Sequence, residues 1–574
     1  MKIDHIPSRN YIAADFDPSQ LAQVSAAYED LAQQNPATPT ALRLWILHWS
    51  ELESILSDYS SRLYIAMTVD TTDAKAAQVF EDFNTQIVPI INASSDKLQR
   101  ILHQHPHKND LSAEFGHWFQ SVSTDISLFR TENIPLYTKI ALETQAYQKI
   151  TGNMSVNYAG SEKTLAQMGV YLQNPERKTR EEAWRLTSQR RLTDQKPLDD
   201  AFDKLFALRQ QVATNSGYEN NFLEYIFAAK HRFDYTPEHC RDFHDAIAQH
   251  AVPRVQKIYK RRAKIMDLEA LRPWDLHCDP RGLAALQPFE TGAELLDKSS
   301  QVFEHLAPQL GTWFAQLRQQ NLLDVDSRLG KAPGGYQISL DEARLPFIFM
   351  NAAGIDGDVY TMLHEAGHAF HQFAMAKQPI LAFRNTPSEF AEVASMSMEL
   401  IASQHLDVFY SPAEIVRSRI DHLEEIIILL PWVALIDAFQ HELYTRPQHD
   451  AEERREIWQK LHKRFDSGVD WSGLELERDY WWQKQLHLFE VPFYYIEYGI
   501  AQLGALQLWH NYRQDPQATL QQMLNAYALG NSQPLPQLFA AAGLKFDFSA
   551  ETLEPLLQAV EQELAQLYAQ QDLC

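Results

Sequence analysis

Over most of its length the chain repeats apolar residues at intervals of three and four, the period of an amphipathic helix. From Asp17 to about Lys149 the pattern is nearly continuous, as in LRLWILHWSELESILSDYSSRLYIAM at 42–67, and it predicts a series of antiparallel helices. It breaks at 150–166, ITGNMSVNYAGSEKTLA, where Gly, Asn and Ser interrupt it. A charged helix follows, whose charges from Glu176 to Arg191 read as a solvated face. That break predicts an N-terminal helical lobe over 1–200 and a second domain over 201–574. Helices resume from Phe202 to Met266 and again to about Leu323. Between Gly330 and Asn351 the period changes. GGYQISL and LPFIFMN are short runs rich in β-branched and aromatic residues, separated by the polar turn DEAR, and they predict a strand pair. Helical periodicity then returns. The longest apolar run, Ile426 to Ile436, contains Pro431 and is too short to span a bilayer, so it predicts a kinked core helix.

Directly after the strand pair comes DVYTMLHEAGHAFHQFAMA, Asp358 to Ala376, with the pattern H-E-x-x-H as His364, Glu365 and His368. On a helix, residues four apart point the same way, so both imidazoles can grip one metal ion with Glu365 beside it. Thr361, His364, His368, His371 and Met375 share one face, opposite Met362, Leu363, Ala366, Phe370 and Phe373. Asp358 is the expected N-cap. With 22 His and 75 acidic residues in the chain, such a triplet can arise by chance, so it needs a third ligand from elsewhere. NTPSEFAEVASMSMELIAS supplies one. Thr386 as N-cap, Pro387 at the first helical position and Glu389 as partner in a capping box predict the start of a second helix. Glu392 then lies on its polar face. Two His and one carboxylate leave the fourth position of a tetrahedral zinc site open to water, the arrangement for catalysis. Glu399 on the same face is placed to orient a ligand imidazole, and His371 to touch substrate or support a ligand.

HEAGHAFH at 364–371 and FAEVAS at 390–395 resemble the oligoendopeptidase F branch of the thimet oligopeptidase family of zinc peptidases. So do GKAPGGY at 330–336, PFIFMN at 346–351, LRPWDL at 271–276, PFYYIEYGIAQLGALQLW at 492–509 and YAGSEKTLAQM at 158–168. The resemblance implies a mainly α, two-lobed body enclosing a channel that admits short peptides, with one Zn2+ per chain held by His364, His368 and Glu392. It implies a small sheet beside the zinc-binding helix and Glu365 as general base. It also implies a His and Tyr cluster facing the metal, to which His487, Tyr498 and then Tyr494 are assigned, with the choice among Tyr494, Tyr495 and Tyr498 left open. Gly334, Gly335 and Tyr336 begin the first strand, where an extended peptide could pair with an exposed edge. The expected activity is endopeptidase cleavage of short peptides. Alternatives are a dipeptidyl carboxypeptidase or carboxypeptidase of the same fold, or a non-catalytic peptide-binding protein.

Composition removes other classes. A net charge of -24 argues against nucleic acid or an anionic membrane as partner, since either needs a basic face. Cys240, Cys278 and Cys574 are odd in number, far apart and without C-x-x-C spacing, so neither a disulfide framework nor a thiolate metal site is indicated. The N-terminus, MKIDHIPSRNYIAADFDPSQ, has no basic start followed by an apolar core. A cytoplasmic, reducing location is the expectation.

Overall fold

The computed structural model describes residues 6–573, so Cys574 and the first five residues of the N-terminal stretch lie outside it. The chain is mainly α, as its periodicity predicts. Among its helices, α1 runs Pro39–Val69, α2 Pro237–Ala246, α3 Asp356–Met375, α4 Ser388–Ala402, α5 Pro412–Tyr444 and α6 Tyr495–Gln514. The strands are β1 (Ser155–Tyr158), β2 (Ser161–Thr164), β3 (Leu323–Asp326), β4 (Tyr336–Leu340) and β5 (Leu345–Ala352). The chain forms two compact units, one from Met1–Ile126, Gln287–Ile415 and Ala501–Phe546, the other from Ser127–Leu286, Val416–Ile500 and Asp547–Cys574. Each is therefore assembled from separate stretches of sequence. No helix among the described residues is long and apolar enough to cross a membrane.

In the first unit, α1 starts where Thr38 Oγ1 accepts the Ala41 N–H at 3.2 Å and Pro39 fits the first turn. Its apolar face, including Trp45, Trp49, Leu52 and Ile55, is buried with Leu31, Leu98 and Phe115. The three-stranded sheet has the order β3-β5-β4. The predicted pair β4 and β5 is antiparallel, with Tyr336 opposite Phe349 and Leu340 opposite Leu345. Parallel β3 covers the other edge of β5 and was not anticipated. Being central, β5 is buried from Leu345 to Met350, which is why LPFIFM is a continuous apolar run rather than an alternating one. Lys331, fully buried, ties the sheet together by donating to Asp324 Oδ1 at 2.8 Å, to the carbonyl of Asp326 at 2.9 Å and to that of Met350. Asn351 Nδ2 donates to the carbonyls of Ala332 (2.7 Å) and Gly334 (2.9 Å), fixing the loop into β4.

The turn from β5 into α3 corrects one expectation. Asp358 lies inside the first turn, not at the N-cap, and its Oδ2 accepts from the N–H of Ala353 (2.7 Å) and Ile355 (3.0 Å). Helix α4 starts one residue later than predicted. Pro387 occupies the N-cap, and Thr386 instead donates its hydroxyl to Met375 Sδ at 3.3 Å. Helices α3 and α4 meet at Gly367. A Cβ there would stand 2.6 Å from the Ala394 carbonyl oxygen and 2.7 Å from Ser395 Cα, so only glycine permits this approach.

In the second unit, the break at 150–166 contains a hairpin, β1 and β2 joined by Ala159 and Gly160 with φ of 51° and 79°. Two consecutive positive φ values give the two-residue turn whose twist matches that of the strands. The charged helix after it is not wholly solvated. Arg180 is 2% exposed and donates to Asp275 Oδ1 at 3.1 Å and to the Trp274 carbonyl at 3.0 Å. A cation at that depth needs such partners, and LRPWDL supplies them. Pro431 lies buried within α5.

Replacing Gly367 by Ala should force α3 and α4 apart and cost about 1–3 kcal/mol, the usual scale of overpacking. The urea midpoint should fall at unchanged m-value; a midpoint equal to wild type would show that the helices do not touch there.

Candidate metal centre

Residues His364, His368 and Glu392 each offer a ligand atom, and these atoms lie within 4.8 Å of one another. Glu392 Oε2 stands 3.4 Å from His364 Nε2 and 3.6 Å from His368 Nε2. Ligands about 2.0–2.1 Å from a tetrahedral ion are separated by about 3.4 Å, so the donor spacing fits one zinc-sized cation. His364 Nδ1 is 2.7 Å from Glu399 Oε1. A carboxylate cannot donate, so Nδ1 carries a proton, and Nε2, on the side of Glu392 and His368, is the nitrogen left to take an ion in place of a second proton. Ser395 Oγ donates to Glu392 Oε2 at 2.9 Å and steadies that oxygen.

Electrostatics favour a cation here. Burial alone would raise the Glu392 carboxyl, but His364 and His368 hold it well below the usual carboxylate range. Burial would likewise lower His364, yet Glu392 and Glu399 raise it well above an ordinary imidazole. Two carboxylates that retain a proton on this pair would equally retain a metal in its place. Glu365 is different. Burial dominates and raises its pKa, and its Oε2 has no hydrogen-bond partner among the described residues. An acceptor left open next to the three donors is able to take a proton.

The strand beside it supplies the neighbouring wall. A Cβ on Gly335 would sit 3.7 Å from Glu365 Oε1 and 3.5 Å from Thr361 Cγ2, and Gly334 takes a φ of 95°. It is backbone, then, that runs past Glu365. Tyr336 and His371, expected to serve substrate or, for His371, to support a ligand, both take contacts within the protein. Tyr336 stacks on Phe349 (4.7 Å) and shares a 2.6 Å hydrogen bond with Thr68 Oγ1. His371 is 2% exposed and stacks on Tyr527 at 4.6 Å, on the same face of α3 as His364 and beyond His368 along it.

The second unit holds the other predicted residues. The ring of His487 lies 5.8 Å from that of Tyr494, 4.8 Å from Tyr495 and 6.0 Å from Tyr498. Gln485 Nε2 donates to His487 Nδ1 at 2.7 Å. The amide orientation is fixed because Gln485 Oε1 accepts from Tyr495 OH (3.0 Å) and from Trp432 Nε1 (3.1 Å), both of which reach it as donors. His487 therefore keeps its proton on Nε2, and burial lowers its pKa to about 4. It is a neutral donor near pH 7. Tyr495 is committed to Gln485, which separates it from Tyr494 and Tyr498.

A model of peptidase family M3 matches residues 170–556, more than half of the chain, and a model of the M3 N-terminal domain matches residues 14–129. The chain belongs to peptidase family M3. The plasmid-encoded oligoendopeptidase F of Lactococcus lactis subsp. cremoris is 22% identical over 353 residues, 58% of this chain and 55% of that protein. An oligoendopeptidase F homologue of Borreliella burgdorferi is 22% identical over 387 residues, 64% and 62% of the two chains. These matches span little more than half the length of the relatives. Among solved structures, PZ peptidase A with a bound inhibitor aligns at a TM-score of 0.88 and 25% identity, over 96% of this chain and 98% of that one.

Within this M3 chain, Gln485 and Trp432 were missed by sequence reasoning. Gln485 stands two residues before His487, but Trp432 is 53 residues earlier than Gln485, within α5, and no spacing rule connects them.

Burial lowers His371 to about 3, so the folded protein refuses a proton that the unfolded chain accepts near 6.5. Its contribution to stability is full above pH 6.5 and is lost as pH falls toward 3, amounting to about 2 kcal/mol between pH 6.5 and 5. His371→Phe keeps the stack on Tyr527 and removes the titration. Its urea midpoint should drop less than wild type's between pH 7 and 5, and equal drops would refute the assignment.

Proposed function

We propose that this M3 chain is a zinc-dependent oligoendopeptidase that cleaves internal bonds of short peptides in a reducing, cytoplasmic setting. The observation that carries the reading is the pairing of a three-donor set at ligand spacing with a buried, open-handed Glu365. His364, His368 and Glu392 would hold one Zn2+. When bound, that ion supplies an electrophile for the scissile carbonyl and brings a water pKa toward about 7.

The remaining work falls to the chain's own groups. Glu365, its pKa raised by burial, accepts the attacking water's proton and returns it to the leaving amine. A raised pKa suits both halves of that task, since a strongly acidic carboxyl would take the proton poorly. Glu399 holds the His364 proton on Nδ1. The outer edge of β4, at the end of the sheet order, offers main-chain donors and acceptors to an extended peptide. Gly334 and Gly335 let that peptide approach without side-chain interference. Backbone recognition accepts many sequences. Following the family resemblance, His487 Nε2–H and Tyr498, with Tyr494 as its neighbour, donate to the oxyanion, where one donor is worth about 3 kcal/mol. The tautomer held by Gln485 is the one this role requires. A purely binding module has no use for a buried carboxylate with an oxygen left open among the described residues, so catalysis is the better reading of Glu365.

Glu365→Gln should leave metal content at the wild-type level while turnover of an internally quenched peptide with blocked ends falls at least a thousandfold. Retained turnover would remove Glu365 as base, and cleavage restricted to peptides with a free terminus would replace the endopeptidase reading by an exopeptidase one. Gln485→Glu removes the donor to His487 Nδ1, so 15N shifts should report a proton on Nδ1 and kcat should fall ten- to a hundredfold at unchanged metal content. A normal kcat with the shifted tautomer would detach His487 from catalysis.

A further inference from the structure

A second group of metal-binding side chains lies wholly inside the second unit. Helix α2 carries Cys240 and His244, and α5 carries Asp437 and His441, each pair four residues apart and hence on one face of its helix. All four are buried: Cys240 and Asp437 are 0% exposed, His244 2% and His441 6%. One ligand atom from each of Cys240, Asp437 and His441 lies within 4.8 Å of the others. His244 Nε2 is 2.8 Å from Asp437 Oδ2, a normal hydrogen bond. His441 Nε2 is 3.2 Å from the same oxygen but out of line for one, and neither of its ring nitrogens nor Asp437 Oδ1 has a hydrogen-bond partner among the described residues.

An ordinary buried ion pair does not account for this arrangement. One imidazole N–H is enough to satisfy Asp437 Oδ2, and His244 supplies it. His441 is then left with two unsatisfied ring nitrogens at full burial, beside a carboxylate oxygen that is also unsatisfied, which folded proteins avoid. We infer that Cys240 Sγ, an oxygen of Asp437 and a ring nitrogen of His441 form a second site for a divalent metal of the zinc class, joining α2 to α5. His244 orients the Asp437 carboxylate through Oδ2, as outer partners of metal ligands do. Charge balances as well. A thiolate and a carboxylate neutralise one divalent ion, and a neutral imidazole completes the set without adding charge, so a fully buried site carries no net charge. The soft thiolate favours zinc over calcium or magnesium. Sequence spacing hides the site because its two halves lie on different helices far apart in the chain, and no C-x-x-C pattern announces it.

Cobalt distinguishes this site from the one at His364, which has no thiolate. The full chain, stripped of metal and titrated with Co2+, should bind two equivalents and show a near-ultraviolet thiolate-to-cobalt absorption band. Cys240→Ala should lose that band and one equivalent, keeping the other. If that variant does not fold, the double variant His364→Ala and His368→Ala serves instead, and it should bind one equivalent with the band intact. Binding of a single equivalent by wild type without the band, or a band that persists in Cys240→Ala, would overturn the inference.

Discussion

The distance between two helix backbones at Gly367 governs the candidate metal centre. His364 and His368 are brought together by helical period alone, but Glu392 belongs to another helix, and its oxygen reaches ligand spacing only if α4 lies almost on α3. The missing side chain between the two histidines permits this, with the Ala394 carbonyl and Ser395 occupying the space a Cβ would fill. The apolar sides of both helices supply the force. Met362, Leu363, Ala366 and Phe370 on α3, and Phe390, Val393, Ala394 and Ile401 on α4, are completely buried. Burial of that many side chains presses the helices together, and glycine sets where they stop. The polar site is thus a consequence of apolar packing one residue away.

Around each imidazole of interest the structure fixes a proton. Glu399 can only accept, so His364 must donate from Nδ1; Gln485 offers an N–H, so His487 must accept at Nδ1. The two rings are left with different duties at Nε2, one free to exchange its proton there for an ion and the other holding its only proton there. A lone pair suits a ligand, and a proton suits a donor to developing negative charge. Neither state follows from histidine itself. Each is imposed by one neighbouring side chain, and in the case of Gln485 by two further donors that prevent its amide from turning over.

Local pattern made some of this legible. The H-E-x-x-H helix, its polar stripe, the following helix with Glu392 and the β4–β5 pair were all readable because period and turn chemistry are properties of adjacent residues. The caps were read less well. Asp358 and Thr386 are both good N-cap residues by type, yet Ile355 and Pro387 hold those positions, and the two side chains bond instead to the Ala353 and Ile355 N–H groups and to Met375 Sδ. Tyr336 and His371 lie on the elements expected of them, but their aromatic partners Phe349 and Tyr527 were not foreseen, because helical and strand periodicity do not reveal which polar residue a neighbouring aromatic will cover. Parallel β3 gave no signal at all: LDVD is four residues long and gains its strand character only from pairing with β5. Nor could any spacing have joined Trp432 to Gln485.

The tyrosine cluster shows why the start of α6 escaped prediction. Pro492 is a favourable first helical residue, and Tyr494 and Tyr498 are one turn apart, so a helix from Pro492 would carry both phenols on one face. Phe493 instead adopts a φ of 60°, a conformation unfavourable to a bulky aromatic, and α6 begins at Tyr495. Such strain costs on the order of 1–3 kcal/mol and persists only where the surroundings enforce it. Here they do. The Phe493 ring is fully buried, its N–H donates to Gln440 Oε1 at 2.7 Å, and its carbonyl accepts from Arg232. Abandoning the turn would leave the buried Gln440 amide oxygen and the Phe493 N–H without each other and take one acceptor from the Arg232 guanidinium, which keeps Glu497, a larger penalty than the strain itself. The outcome is that Tyr494 approaches His487 from a loop and Tyr498 from a helix, with their rings 5.1 Å apart and nearly perpendicular. Two phenols held by different backbones can be set at an angle to one another that successive turns of a single helix would not give, and it is the buried polar anchors of Phe493, not the periodicity of the tyrosines, that set it.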